Sequence, residues 1–244
     1  MTDKPIQIRQ DRADQTRKHI LRAAIREFSA HGLAGARTDA IAVSAKVNKA
    51  LLYYYFKSKH GLYAAAFEEI ASSVVERTLA ALDPEYSAGE RLVRAALDHF
   101  DRILTQHEFQ SLLQQEMVRF RRGESGDVSQ LVKKVFKPLL LKMQETVQEG
   151  IRAGELCEVD PLQVVYSMLG ANVFYFLSAP MMQFALPFDP FDETALEMRR
   201  RATAQFLGKA LFVDRVRGVK VAKRVLADMP MPKLNKNRLW RKHP

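Results

Sequence analysis

Cysteine is nearly absent from the 244 residues, with Cys157 standing alone. No intrachain disulfide can form, and neither a cysteine zinc cluster nor a secreted disulfide scaffold can be built. No run alternates β-branched and polar residues between turn signals, which excludes a sheet as the main architecture. Glycine-rich phosphate loops are missing, because Gly32 and Gly35 in HGLAG follow no strand pattern. His107-Glu108 has no second histidine to complete an HExxH pair, and no Glu-x-x-His bundle motif occurs. No catalytic residue, no metal and no cofactor is therefore expected, and His99, His107, Asp98, Asp101 and Glu108 read as surface helix residues. The stretch Met1 to Arg12 is polar and carries no apolar h-region, so export is not expected and the expected compartment is the cytoplasm.

What is present is ordinary globular composition, 47% hydrophobic and 27% charged, which excludes a disordered or low-complexity chain. The net charge of +10 is unevenly placed: residues 1–60 carry +7, residues 61–214 carry −6 and residues 215–244 carry +9. Basic ends flanking an acidic middle make an electrostatic footprint for phosphates or anionic lipid. The segment 161–188 has no charged residue, yet Pro180, Pro187, Gln163, Ser167 and Asn172 argue against a membrane span.

Periodicity predicts an all-α fold. Ile20, Leu21, Ala24, Ile25 and Phe28 recur at helical spacing from about Asp14 to His31, where Gly32 supplies a stop. Thr38 and Asn48 are candidate N-caps for two short helices, to about Ala45 and Tyr55. Longer helices are expected over 58–82, from a Ser87/Glu90 capping box to 106, over 108–122, over 127–153 with a kink at Pro138, from Asp160-Pro161 to about Ala179, and from Asp192 to about Val216. The Pro180 to Asp192 loop, with Met181, Met182, Phe184, Phe188 and Phe191, is expected to pack over apolar surface.

The segment TDAIAVSAKVNKALLYYYFKSK, Thr38 to Lys59, has the pattern of a helix-turn-helix. Ile41, Ala42 and Ala45 are small and apolar where a second helix must cross closely, and Val47 plugs the corner. Leu52 and Phe56, four apart, give that second helix its buried stripe, leaving Lys49, Ala50 and Tyr53 outward. Backbone amides at its N-terminus, with Lys49 and the following Lys57 and Lys59, suit a phosphate-lined groove.

Ala45-Lys46-Val47-Asn48 followed by Leu52-Tyr53-Tyr54-Tyr55-Phe56-Lys57-Ser58-Lys59, with Leu21, Ala24, Phe28 and Gly32 upstream and Leu62 downstream, resembles the signature of the tetracycline-repressor (TetR) family of bacterial transcription regulators. The resemblance implies an N-terminal three-helix DNA-binding domain and a larger helical domain for effector binding and dimerisation. On that basis the chain divides into a basic arm (1–13), the DNA-binding domain (14–74), the effector and dimerisation domain (75–216) and a basic tail (217–244). It implies Lys49, Ala50 and Leu51 near base edges and Thr38, Tyr53, Tyr54 and Lys59 at phosphates, with Lys46, Asn48 and Lys57 completing the DNA-facing set. Two positions depart from the family pattern: Lys46 stands at the turn where glycine is usual, and Leu51 where threonine is frequent.

The implied activity is that of a homodimeric repressor on a palindromic double-stranded operator, released by a small apolar or amphipathic effector. Phe100, Phe120, Phe136, Met143, Asn172 and Phe176 are candidate effector contacts, Asn172 serving either as a polar ligand contact or as a bond across a helix interface. The helices near 161–179 and 193–216, with Gly170, Ala171 and Ser178 permitting close approach, are the candidate dimer interface. In the tail RVRGVKVAKRV reads as a basic amphipathic helix and the region of Pro230, Pro232, Asn235 and Trp240 as extended, which leaves non-specific DNA affinity, anionic membrane contact and solubility open. A membrane-surface or lipid-binding helical protein is the alternative function.

Overall fold

The computed structural model describes residues 4–124, 128–185 and 187–233, with side chains described from Arg12 onward apart from 128–129, and every regular element among them is helical. The order is α1 (Lys4–Gly35), α2 (Thr38–Ala45), α3 (Lys49–Phe56), α4 (Lys59–Ala81), α5 (Ala88–Thr105), α6 (His107–Arg121), α7 (Val128–Arg152), α8 (Pro161–Ala185), α9 (Glu193–Ala210) and α10 (Arg215–Asp228). Predicted caps are in place: the side chains of Asn48, Ser87 and Asp192 accept from the amides of Leu51, Glu90 and Thr194, and Asp160 accepts from Gln163 ahead of α8. Gly32 breaks α1 as expected, at φ 67° and ψ 175°, a backbone conformation open to glycine.

The chain forms two compact units, residues 1–74 with 108–135, and residues 75–107 with 136–244. α6 and the start of α7 cluster with the N-terminal helices. In the first unit Ile20, Leu21, Ala24 and Phe28 of α1 share a core with Ile41, Leu52, Phe56, Leu62 and Phe67. Phe28 meets Tyr63 edge-on at 5.0 Å. Leu112 of α6 is also fully buried. Gln115 donates from Nε2 to the Ser29 carbonyl at 3.2 Å, so α6 is tied to α1 by a side chain as well as by packing.

In the second unit α5 is buried along most of its length and packs against α8, α9 and α10. Phe100, Ile103, Leu104, Phe176 and Leu196 form one cluster there. α8 is long and apolar enough to cross a membrane by length and composition, but Val165, Met168, Phe176 and Ala179 bury one of its faces inside the protein.

Three expectations are corrected. α8 does not stop before Pro180 but continues to Ala185. Of the following apolar residues only Phe191 packs against the Phe100 cluster, while Met181 and Phe184 are exposed. The last helix ends at Ala210 rather than Val216, because Leu211 and Phe212 turn inward and the backbone of 211–213 pairs with 155–157 through Cys157 N to Leu211 O (2.8 Å) and Val213 N to Glu155 O (3.1 Å).

The basic run RVRGVKVAKRV is helical, as its amphipathic pattern predicts. Asp214 caps a tenth helix whose Gly218, Val221, Ala222 and Val225 are buried, with Lys220, Lys223 and Arg224 outward. α9 and α10 cross at Gly208 and Gly218, where a Cβ on either residue would collide with the other's carbonyl oxygen. The remainder of the tail from residue 234, including Trp240, and residues 1–3 of the arm lie outside the described residues; residues 4–13 belong to α1.

Candidate nucleic-acid interface

The first hydrogen bond of α2 runs from Ile41 N to the Arg37 carbonyl, which makes Arg37 the N-cap position. Thr38, expected as the cap, is instead the first helical residue. The Arg37 amide donates to Glu27 Oε1 at 2.9 Å, which fixes where the helix begins. Thr38 is buried, and its hydroxyl lies 3.4 Å from the Tyr53 hydroxyl, so this side chain joins α2 to α3.

The turn closes through Val47 N to Ala42 O at 3.0 Å. Lys46 adopts φ 56° and ψ 42°, the left-handed conformation for which glycine is the easiest residue. The left-handed turn is thus formed without glycine at a local cost of roughly 1 kcal/mol, and the side chain is exposed.

Asn48 Oδ1 accepts from Leu51 N at 2.7 Å and begins α3. Asn48→Ala is expected to lower thermal stability by about 1 kcal/mol, the usual value of such a cap, and differential scanning calorimetry checks it. Leu52 and Phe56 point into the core, while Lys49, Ala50, Tyr53 and Tyr54 are exposed on the other side.

Not every candidate stands free on that face. Leu51 is half-buried, and Lys59 Nζ is engaged with the Ala34 carbonyl at 3.0 Å. Lys57 donates from Nζ to the Tyr54 carbonyl at 2.9 Å and lies over the Tyr54 ring, 5.4 Å from its centre. Tyr55 packs edge-on against Tyr54 and reaches the Ala13 carbonyl at 3.5 Å.

One residue of this surface went unmarked in the sequence. Asp39 Oδ1 lies 2.9 Å from Lys49 Nζ, with both side chains about half exposed. The hydrogen bond from Lys49 holds the Asp39 carboxyl below the usual range, and the same bond holds the Lys49 ammonium above its own. The only sequence signal was an isolated acid between Arg37 and Lys46.

Among the effector candidates, Phe100, Met143, Asn172 and Phe176 are fully buried in the second unit, and Phe136 is partly buried. The rings of Phe100 and Phe176 lie 5.0 Å apart between centres, tilted at 46°. Asn172 donates to the Ala96 carbonyl at 2.9 Å and lies 3.4 Å from His99 Nδ1, while its Oδ1 is enclosed without a partner. Phe120 does not join them: it belongs to the first unit and is 65% exposed, because it falls on the outer face of α6.

His99, Asp98 and Asp101 are corrected from surface residues to partly buried ones. Arg200 grips Asp101 with two bonds of 2.8 Å, and Arg102 pairs with Asp98 at 2.8 Å. Burial, with the neighbouring Arg102 charge, lowers the His99 pKa to about 3. The arginines that neutralise these acids stand four residues away (Arg102) or ninety-nine residues away (Arg200), and the second partner is invisible to helical spacing.

A short capped helix that buries one stripe, follows a left-handed turn and leaves lysine and tyrosine exposed is the recognition element of a helix-turn-helix DNA-binding unit. The family model described as bacterial regulatory proteins, tetR family, matches residues 20–66, and a tetracyclin repressor-like C-terminal domain matches residues 88–207. The chain belongs to the TetR family, whose members are regulators and not enzymes.

Over 99 residues it is 37% identical to the HTH-type transcriptional repressor NicS of Pseudomonas putida, a match covering 39% of this chain and 46% of that one. The match therefore spans about half the length of this relative. A transcriptional regulator from Streptomyces coelicolor superimposes with a TM-score of 0.60 at 23% identity, covering 89% of this chain and 99% of that one. A gamma-butyrolactone receptor superimposes at 0.64 and 20% identity, covering 89% and 100%.

Proposed function

We propose that this chain is a cytoplasmic homodimeric repressor that binds a palindromic operator and leaves it when a small apolar or amphipathic effector binds the second unit. The observation that carries DNA binding is the exposed face of α3, where Lys49, Ala50, Tyr53 and Tyr54 stand together above a fully buried Leu52. Lysine at the start of such a helix can reach guanine O6 and N7, and tyrosine hydroxyls suit phosphates.

Dimerisation is supported by α8 and α9. Tyr166, Phe174 and Leu177 of α8 and Met198 and Phe206 of α9 are each more than half exposed, and a groove of about 910 Å³ separates the two helices. Apolar surface of this extent on one face suits burial against a second copy. Two recognition helices related by a two-fold axis would meet half-sites about 34 Å apart. Phe206→Arg is expected to convert the dimer to monomer at micromolar concentration, read by analytical ultracentrifugation.

An effector site in the second unit is supported by the Phe100 and Phe176 cluster and by the unpartnered Oδ1 of Asn172. Among the fold neighbours, one is a gamma-butyrolactone receptor and another was solved in complex with choline. Release requires the effector to favour the protein conformation that no longer fits the operator. The experiment is selection of bound duplexes from a randomised library, followed by stoichiometry on the enriched sequence. An enriched inverted repeat binding two protomers supports the proposal, and an asymmetric site binding one protomer overturns it.

A further inference from the structure

A carboxylate on a surface that meets phosphates works against binding, and Asp39 is such a carboxylate. Its side chain is 60% exposed, and its Oδ1 is 2.9 Å from the Nζ of Lys49, the first residue of the recognition helix. The adjacent Thr38 hydroxyl lies 3.4 Å from that of Tyr53, so two neighbouring contacts set the first turn of α2 alongside the exposed face of α3. Lys46 and Lys57 stand on the same motif without an acid partner of their own among the described ion pairs.

We infer that Asp39 is a specificity-determining residue that acts through Lys49, holding the ammonium at the base-reading position and away from the phosphates of non-cognate DNA. This inference rests on the DNA-binding proposal above. A lysine ammonium has three donors and a carboxylate only accepts. Lys49 can therefore keep its bond to Asp39 while giving its remaining donors to guanine O6 and N7.

The second oxygen of Asp39 can accept from a base donor such as cytosine N4. At a G·C-containing site both groups are satisfied. On other sequences the ammonium must leave Asp39 to reach a phosphate, and the carboxylate is left facing negative charge, so the wrong partner is penalised more than the right one is favoured. Asp39 also lies in the first turn of α2, where an acid favours the helix dipole. The test must therefore read more than stability.

Wild type, Asp39→Asn, Asp39→Glu, Lys49→Gln and the Asp39→Asn/Lys49→Gln double variant are compared on two probes. One is the duplex enriched by the wild-type protein from a randomised 20-base-pair library, and the other is poly(dA-dT), which lacks the guanine and cytosine pattern in its major groove, each over a salt series. For Asp39→Asn the expected result is poly(dA-dT) binding about fivefold tighter, with a log-log salt slope steeper by about 0.9, the value of one additional phosphate contact. The ratio of specific to non-specific affinity falls about tenfold, Asp39→Glu restores most of it, and in the Lys49→Gln background the ratio moves less than twofold.

An unchanged ratio in Asp39→Asn overturns the inference, and so does an equal fall in the Lys49→Gln background, which would assign the effect to charge alone. If the wild-type protein enriches no sequence at all, the DNA-binding proposal fails first. That result is distinct from an enriched sequence to which Asp39 is indifferent.

Discussion

Replacing Lys49 or Tyr53 by alanine is expected to weaken binding to the operator by about 1–3 kcal/mol each, roughly five- to 150-fold, without unfolding the protein. Both side chains are exposed, Lys49 at 48% of its area and Tyr53 at 37%, so neither supports the core as Leu52 and Phe56 do. Their effects should differ in kind. Lys49→Ala removes a donor set at base edges, so it should relax sequence preference while leaving non-specific affinity within about threefold. Lys57, beyond the end of α3, is the proposed contact to the DNA backbone. Lys57→Ala should weaken all sequences alike and reduce the salt slope by about 0.9. Fluorescence anisotropy on cognate and scrambled duplexes separates the two patterns.

Acid should destabilise the second unit through His99. Its pKa lies near 3 in the folded protein because burial and the Arg102 charge disfavour the imidazolium, against 6.5 for a free histidine. Between those values the unfolded chain binds the proton and the folded chain does not, so stability falls as pH drops from about 6.5 toward 3. At 1.36 kcal/mol per pH unit the full difference is worth roughly 5 kcal/mol. The residue retains some contact with water, which brings the expected loss nearer 2–3 kcal/mol.

Asp98 and Asp101 work the other way in the lower part of that window, since burial raises both and the folded state then binds protons more readily. The histidine contribution is therefore read by difference. Urea unfolding of wild type and His99→Gln from pH 7 to pH 4 should show the wild type losing stability faster, and parallel curves would contradict the assignment.

The DNA-binding half was legible because its chemistry is local. Val47, Asn48, Leu52 and Phe56 lie within ten residues, and their spacing alone states which face is buried and where α3 begins. Lys46 kept the turn even though it is not glycine, because the left-handed conformation costs a single residue little compared with the packing of Ile41 and Leu52 around it.

What sequence did not disclose depends on partners far along the chain. Arg200 reaches Asp101 and Glu155 reaches Ser87, and neither pairing leaves a periodic trace. Phe120 and Phe100 are indistinguishable as phenylalanines in helical patterns, yet one is 65% exposed and the other fully buried. The tenth helix was legible in the run RVRGVKVAKRV, but the crossing of its Gly218 on Gly208 of α9 leaves no periodic trace.

The central claim is that α3 reads DNA sequence, and anisotropy of the purified 244-residue chain on labelled DNA from beside its own gene, with excess unrelated competitor across a salt series, addresses it directly. The expected result is saturable binding that survives competitor, falls steeply with salt and is lost on combining Lys49→Ala with Tyr53→Ala. Binding abolished equally by any competitor and indifferent to those two substitutions would contradict it, leaving the basic surface as charge without sequence recognition.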